Sequence, residues 1–242
     1  MSAESHTLIC LPTFNEAENI ADLIAALRRA TQTVGPFDIL VVDDGSPDGT
    51  ADIVRGLQAG GDAHLHLLDR GRKLGLGTAY RAGFDHAARH GHTHVFTMDA
   101  DFSHSPEHVP HLWRAAASAD VVIGSRYMPG GGVANWPWHR RLLSSAANAL
   151  ARWMLRLRAH DCTSGFRCYR VDLLARVGLD DIRSEGYSYL TEMLWRCQRH
   201  GARIQEVPIK FVDRRAGQSK ISKREIWRAV LTLLRLRFAR RR

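Results

Sequence analysis

Four cysteines, Cys10, Cys162, Cys168 and Cys197, are spread over 242 residues with no C-x-x-C pair among them. Such spacing argues against a zinc ribbon or a disulfide framework and leaves reduced, mostly buried thiols as the expectation. Long apolar runs are missing too. The start, MSAESHTLICLPTFNE, has neither the basic opening nor the uninterrupted apolar core of a secretory signal, and it already contains a strand candidate. At the other end EIWRAVLTLLRLRFARRR is broken by Arg228, Arg235 and Arg237, far short of the roughly 20 apolar residues that span a bilayer. The expectation is a cytoplasmic protein. Internal repeats and low-complexity linkers are absent. LGLGTAYRAG offers Gly75, Gly77 and Gly83 without the G-x-G-x-x-G spacing or a P-loop Lys-Ser/Thr, so it reads as a helix start with close packing.

What is present suits one large α/β domain, or one domain with an appendage. Strand-like runs occur at HTLICLP, FDILVVDDG, AHLHLLD, THVFTMDAD, ADVVIGSRY and IQEVPIKFVD. Helix-period segments separate the first five, from Glu16 to about Thr33, Thr50 to Leu57, Leu76 to His90 and Pro106 to Ala117. Alternation of this kind predicts a mixed, mostly parallel sheet with helices on both faces, whose ligands bind beyond the carboxyl ends of the strands. PTFNE, DDGSPDGT, DADFS and GSRY all fall on that rim. After about Tyr127 the chain changes character: a Gly- and Trp-rich loop, MPGGGVANWPW, is followed by a helix from about His139 to Arg156. Next come a polar turn HDCTSGFRCYR, a helix around GYSYLTEMLWRCQRHG, the loop DRRAGQSK and a basic terminal helix.

Two carboxylates one residue apart, Asp99 and Asp101 in FTMDADFSHSP, end a strand-like segment. Such a pair concentrates negative charge and calls for a cation or donors to offset its repulsion. The plainer alternative makes Asp101 a helix cap ahead of Pro106. In VVDDGSPDGT, Asp43 and Asp44 end another strand and lead to a helix capped by Asp48 or Thr50. A carboxylate there can accept from a base or ribose, and free backbone N–H groups can meet a phosphate; an ordinary strand-to-helix turn would use the same residues. A haloacid-dehalogenase phosphatase also places an aspartate pair after a strand, but neither pair here has its D-x-D-Gly/Thr pattern. His104, His108 and His111 lie at helical spacing without an H-E-x-x-H motif and read as a solvated helix face.

Read in order, PTFNE, VVDDGSPDGT and DAD resemble the family 2 glycosyltransferases of the A-type (GT-A, Rossmann-like) fold. KLGLGTAY, GSRYMPGGG, DCTSGFRCYR and VPIKFVDRRAGQSK are similar to the polyprenol (dolichyl) phosphate mannose synthases, over about residues 7–222. The resemblance implies a catalytic domain over 1–221 and a basic amphipathic helix over 222–242. It implies that Pro12, Phe14, Glu16, Val42 and Asp44 line the nucleotide pocket, with Asp99 and Ala100 beside the ribose and diphosphate. Asp101 would hold Mg²⁺ or Mn²⁺, with Asp99 and Ser103 in the same metal set. Arg126, Arg214 and Lys220 would complete the donor site and, with Asp101, the catalytic set. Arg126, Arg140 and Arg167 would meet the acceptor phosphate. Phe14 stands where the family usually has Tyr, losing a hydroxyl and keeping a stacking face; Ser103 is a weaker ligand than the Gln of some members.

The implied reaction is an inverting transfer of mannose from GDP-mannose to polyprenyl phosphate. Hard oxygen ligands and a diphosphate suit these cations, and a phosphate acceptor that is largely dianionic at neutral pH needs no general base. A UDP-glucose or other hexose donor on the same fold stays open. So does a basic membrane- or nucleic-acid-binding module, although a carboxylate-rich rim repels nucleic acid. Charge adds a further expectation: residues 203–242 hold 13 Lys and Arg against 3 acids, and residues 1–202 hold 21 against 22. From Ser222 to Phe238, Trp227, Val230, Leu231, Leu234 and Phe238 share one side, with Arg224, Arg228 and Arg235 largely elsewhere. That pattern predicts an interfacial helix on an anionic membrane, holding the enzyme peripherally on the cytoplasmic face. The lack of membrane spans resembles the soluble catalytic subunit type and leaves room for a membrane partner subunit.

Overall fold

The computed structural model describes residues 6–213 and 223–239. Its first half follows the predicted alternation: β1 (Thr7–Thr13), α1 (Ile20–Thr31), β2 (Phe37–Asp43), α2 (Thr50–Ala59), β3 (Leu65–Asp69), α3 (Leu76–Arg89), β4 (His94–Thr97), α4 (Val109–Ala116) and β5 (Val121–Ser125). Strands β1 and β2 are nearly continuous apolar runs because helices cover both faces of the sheet. Helix α1 starts four residues later than its period suggests. Residues 16–19 form a turn in which the Glu16 carbonyl accepts the amides of Asn19 and Ile20.

The second half comprises β6 (Gly132–Ala134), α5 (Trp138–Leu155), β7 (Arg167–Arg170), α6 (Val171–Val177), α7 (Tyr187–Arg199), β8 (Ile204–Pro208), β9 (Lys210–Val212) and α8 (Lys223–Phe238). The main sheet has the order β3-β2-β1-β4-β7-β5-β8. Strand β7 runs antiparallel between β4 and β5, pairing Cys168 with both Phe96 and Val122. Its sequence, RCYR, lies in what reads as a polar turn, so this part of the expectation is corrected. The strand has another consequence: being antiparallel, it brings its N-terminal loop, residues 161–166, to the rim where the parallel strands end. IQEVPIKFVD, read as one strand, is two. Strand β8 joins β5, whereas β9 leaves the main sheet and pairs in parallel with β6 from the Gly-rich loop.

The sheet separates two apolar layers. On one face α1, α2 and α4 cover Ile9, Leu11, Ile39, Val41, Phe96 and Val122. On the other, α3 and α5–α8 cover Leu8, Cys10, Leu40, Val42, Val95, Val121 and Ile123. All four thiols are free and buried, as expected. Helix α8 packs on α5 and α7 and contributes Leu233 and Leu236 to the core. Among the described residues, no helix is long and apolar enough to cross a membrane.

Candidate active site

At the carboxyl end of β1, the loop Phe14–Ala17 is stitched to the turn after β2. Asn15 N–H donates to Ser46 Oγ (2.9 Å), Glu16 N–H to Thr50 Oγ1 (3.0 Å) and Ala17 N–H to Asp48 Oδ2 (3.0 Å). Asp43 is fully buried and accepts from Thr13 Oγ1 (2.8 Å), Ser46 N–H (2.8 Å) and Ser46 Oγ (2.6 Å), which makes it the anchor of this turn. Asp44 anchors a second loop, accepting from the Arg70 guanidinium and from the amides of Leu74 (3.1 Å) and Gly75 (2.9 Å). The two loops touch at Gly45, where φ is +70° and a Cβ would lie 2.6 Å from the Gly71 carbonyl carbon. Phe14 is exposed, with Lys73 Nζ 3.9 Å above its ring. Pro12 and Glu16 are half-buried beside it, and Asn19 donates to Glu16 Oε2 (2.8 Å). Val42 and Ala100 lie in the two apolar layers and offer the rim only their backbone.

Beyond β4 the segment Asp99–Ser105 turns back on itself, with Phe102 in the left-handed region at φ 60°. A large residue held there is strained, a condition that persists where surrounding structure enforces it. Asp101 is buried and accepts the Ser103 amide at 3.0 Å. Asp101 therefore shapes this turn and is no helix cap; Ser105 fills that place before Pro106. Ser103 Oγ is buried without a hydrogen-bond partner among the described residues. An unspent hydroxyl oxygen beside a buried carboxylate, with Asp99 two residues away, fits a hard divalent cation. No cluster of three or more His, Cys, Asp or Glu is placed to hold a metal among the described residues, so such an ion needs oxygen ligands from a substrate as well. His104 is not on a solvated face. It is 2% exposed, stacks on Phe166 with centroids 5.2 Å apart and accepts the Asp99 amide at Nδ1 (3.1 Å); burial holds its pKa below the usual value.

Of the basic residues, Arg126 at the end of β5 is nearly buried and forks onto Asp161 through Nε (2.7 Å) and Nη2 (2.8 Å). Its Nη2 also donates to Thr163 Oγ1 (2.7 Å), and its backbone amide donates to Asp161 Oδ2 (3.0 Å). Asp161 is fully buried, and against that burial the Arg126 charge beside it holds its pKa low. This pair joins β5 to the loop that β7 carries to the rim. Arg140, on α5, stacks 4.1 Å from the Trp136 ring and bonds Asp213 (2.9 Å). Arg167 belongs elsewhere. It is fully buried and donates to the carbonyls of Ser164, Leu190 and Cys162, at 2.8 Å each, and to Tyr169 Oη (3.2 Å). A guanidinium spent on carbonyls under the sheet cannot meet an acceptor phosphate, so that expectation is withdrawn. Arg214 and Lys220 lie outside the described residues.

The structure thus brings Pro12, Phe14, Glu16, Asp44, Asp99, Asp101 and Ser103 to one rim, with Arg126 and Arg140 on its β5–α5 side. Sequence reading missed Asp161 as the partner of Arg126 and Arg70 as the partner of Asp44. The signal for the first was the acid at the head of DCTSGF; nothing in the spacing marks Arg70.

A doubly wound sheet with this carboxylate rim has the A-type architecture of glycosyltransferases, and that is the class of enzyme the chain represents. A sequence model of Glycosyl transferase family 2 matches residues 8–178, and the chain belongs to that family. It is 44% identical over 217 residues to the polyprenol monophosphomannose synthase of Mycolicibacterium smegmatis, covering 89% of this chain and 81% of that one. It is also 44% identical over 234 residues to the undecaprenyl-phosphate mannosyltransferase of Micrococcus luteus, covering 97% and 95%. Among solved structures, glucosyl-3-phosphoglycerate synthase from Mycobacterium tuberculosis, in complex with Mn²⁺, UDP and phosphoglyceric acid, has a TM-score of 0.70 at 18% identity, covering 99% of this chain and 81% of that one. That likeness concerns the fold.

Proposed function

We propose that this glycosyltransferase moves mannose from GDP-mannose to a polyprenyl phosphate with inversion at the sugar carbon, using Mg²⁺ or Mn²⁺. The observation that carries the reading is the pair of 44%-identical relatives, which span most of the chain and are both named for placing mannose on a polyprenol or its phosphate. The rim supports it chemically. An acceptor phosphate oxygen attacks the anomeric carbon as the bond from that carbon to the diphosphate breaks, and the electron pair leaves on the diphosphate. Asp101, Asp99 and Ser103 are the residues that would hold the cation, which neutralises the charge of the leaving diphosphate when bound. Phe14 presents a face for a base, and the amides of the loop after β1 fix its position. Arg140, Arg214 and Lys220 are assigned to the phosphates, for which cationic donors are suited, while Arg126, held by Asp161 and Thr163, fixes the loop beside them. Turnover with a panel of radiolabelled sugar nucleotides and a short polyprenyl phosphate tests the reading: label should move from GDP-mannose, and preferential transfer from UDP-glucose would replace it.

The acceptor's tail places the reaction at a membrane, since drawing a polyprenyl chain into water costs about 0.8 kcal/mol per CH₂. Trp138 and Trp153 on α5 and Trp227 and Phe238 on α8 each expose about two-thirds or more of their surface. Leu142, Leu143, Leu150, Leu231 and Leu234 are exposed on the same two helices, which pack on one another. Large exposed apolar side chains gathered on two helices that pack together are of the kind that marks an interaction face. With a basic C-terminal segment, where each cation near anionic headgroups adds about 1 kcal/mol, it supports peripheral binding to the cytoplasmic leaflet.

A further inference from the structure

We propose that Tyr80 is a positioning residue for Asp99, its buried hydroxyl supplying the hydrogen bond that fixes the first carboxylate of the D-A-D motif when a sugar nucleotide occupies the rim. The inference rests on the sugar-nucleotide reading and extends it to a residue of α3. Tyr80 is 1% exposed, its ring lying between Phe84 and Tyr189 with centroids 6.5 and 6.2 Å away. Its hydroxyl has no hydrogen-bond partner among the described residues. A buried hydroxyl left unpaired is costly, and a phenylalanine would fill the same space without that cost. The oxygen therefore calls for a use.

Gly165 shows what surrounds it. A Cβ built there would lie 3.1 Å from Tyr80 Oη, 3.4 Å from Asp99 Oδ1 and 3.8 Å from His104 Cε1. Phenol, carboxylate and imidazole converge on a space about the size of a methyl group, kept open by the missing side chain. Within it Asp99 lacks a donor. His104 Nδ1 accepts the Asp99 amide at 3.1 Å, so the ring carries its proton on Nε2. The other approach, Nδ1 to Asp99 Oδ2 at 3.8 Å, thus sets a lone pair against a carboxylate and is no hydrogen bond. Arg126 is committed to Asp161 and Thr163. The Tyr80 hydroxyl, protonated at neutral pH, is a buried donor beside Asp99 that is unspent among the described residues. With its side chain 38% exposed, Asp99 stands between this space and the open rim. Rotation of the Asp99 side chain toward Tyr80 would give Oδ1 a charge-assisted bond and leave Oδ2 for the rim.

Tyr80→Phe, which keeps the ring, is expected to melt at the native temperature or above, while kcat for transfer falls about tenfold or more and KM for the acceptor changes little. Tyr189→Phe is the control: it removes another buried, unpartnered phenol hydroxyl, one whose titratable neighbours are Tyr169, Cys197, Arg167 and Arg81, and it should leave kcat unchanged. Gly165→Ala, whose methyl would fill the space between Tyr80 Oη and Asp99 Oδ1 and keep them apart, should lower kcat as Tyr80→Phe does. Native kcat in Tyr80→Phe overturns the inference, and so does an equal loss in both phenylalanine variants with lowered melting temperatures, because the hydroxyls would then serve the fold. If the native chain transfers no sugar from any donor, the underlying reading fails separately. Calorimetric titration of GDP with Mn²⁺ then still decides this one: several-fold weaker binding by Tyr80→Phe supports it, and equal affinity counts against it.

Discussion

Asp101→Asn keeps the size of the side chain and an oxygen to accept the Ser103 amide, but removes the charge. Turnover should fall by about a hundredfold or more, with a melting temperature close to native, and excess EDTA should abolish activity of the unaltered enzyme. Near-normal turnover in either experiment would refute the cation role. Arg167 behaves in the opposite way, because its guanidinium ties β7 to the 161–166 loop through Ser164 and Cys162 and to α7 through Leu190. Arg167→Met should cost about 3 kcal/mol or more, since it leaves buried carbonyls unpaired, and should lower the melting temperature by about 6–12 °C. A thermal scan that found native stability would return Arg167 to the rim. Both residues stand in short polar motifs, and only their placement separates them. The carboxylates were legible because they end apolar strands, whereas the fate of Arg167 depends on an antiparallel strand that leaves no periodic trace.

At the scale of elements, the parallel core was legible because strands buried on both faces are apolar runs bounded by turn residues. Strand β7 was not: four residues, half of them arginine, become a strand only because β4 and β5 supply partners on both sides. Strands β6 and β9 are three residues each and escape any reading by period. The terminal segment forms a helix over Lys223–Phe238, and its packing affects how its proposed membrane role is tested. Of the side read as apolar, Trp227, Leu231, Leu234 and Phe238 are exposed and Val230 is half-buried, while Leu233 and Leu236 are buried against the domain and Arg235 is paired with Glu192 of α7. Deleting the helix would open the core, so substitution is the cleaner probe. Trp227→Ser with Phe238→Ser, and separately Trp138→Ser with Trp153→Ser on α5, should each reduce sedimentation with anionic liposomes while leaving thermal stability unchanged. They should also lower activity on long-chain acceptors more than on short soluble ones. Unaltered sedimentation by all four substitutions together would rule out this surface as the membrane contact.

Across the whole molecule, the two ends of the sheet carry different chemistry. The rim holds the carboxylates, and the opposite end, where the parallel strands begin, gathers histidines. His66 of β3 and His86 of α3 have ring centroids 5.6 Å apart, His86 stacks on His90 at 4.0 Å, and His92 bonds Asp38 of β2 at 2.8 Å, as does His64 at 2.7 Å. Burial, then repulsion from His90, His66 and His92, pushes the His86 pKa down to about 4, with Asp38 the carboxylate that opposes the shift; His66 and His94 are lowered too, chiefly by burial. An imidazole whose pKa is lower folded than unfolded binds fewer protons in the native state, so acid favours unfolding. The stabilising contribution is complete above the unfolded value of about 6.5 and is lost as pH falls toward about 4. Asp38, also shifted down, adds its loss only below that range, as pH falls beneath its unfolded value of about 3.9. Buried thiols act with the reverse sign: burial pushes Cys10, Cys162 and Cys197 up to about 12, so their contribution holds below the unfolded value of about 8.5 and is lost as pH rises beyond it. Melting temperature should therefore be highest between about pH 6.5 and 8.5 and should fall on both sides. His86→Gln should flatten the acid limb and leave the alkaline limb alone. A native melting temperature that stayed constant from pH 7.5 to pH 5 would show that the histidine end of the sheet accepts its protons without loss of packing, and would refute this account.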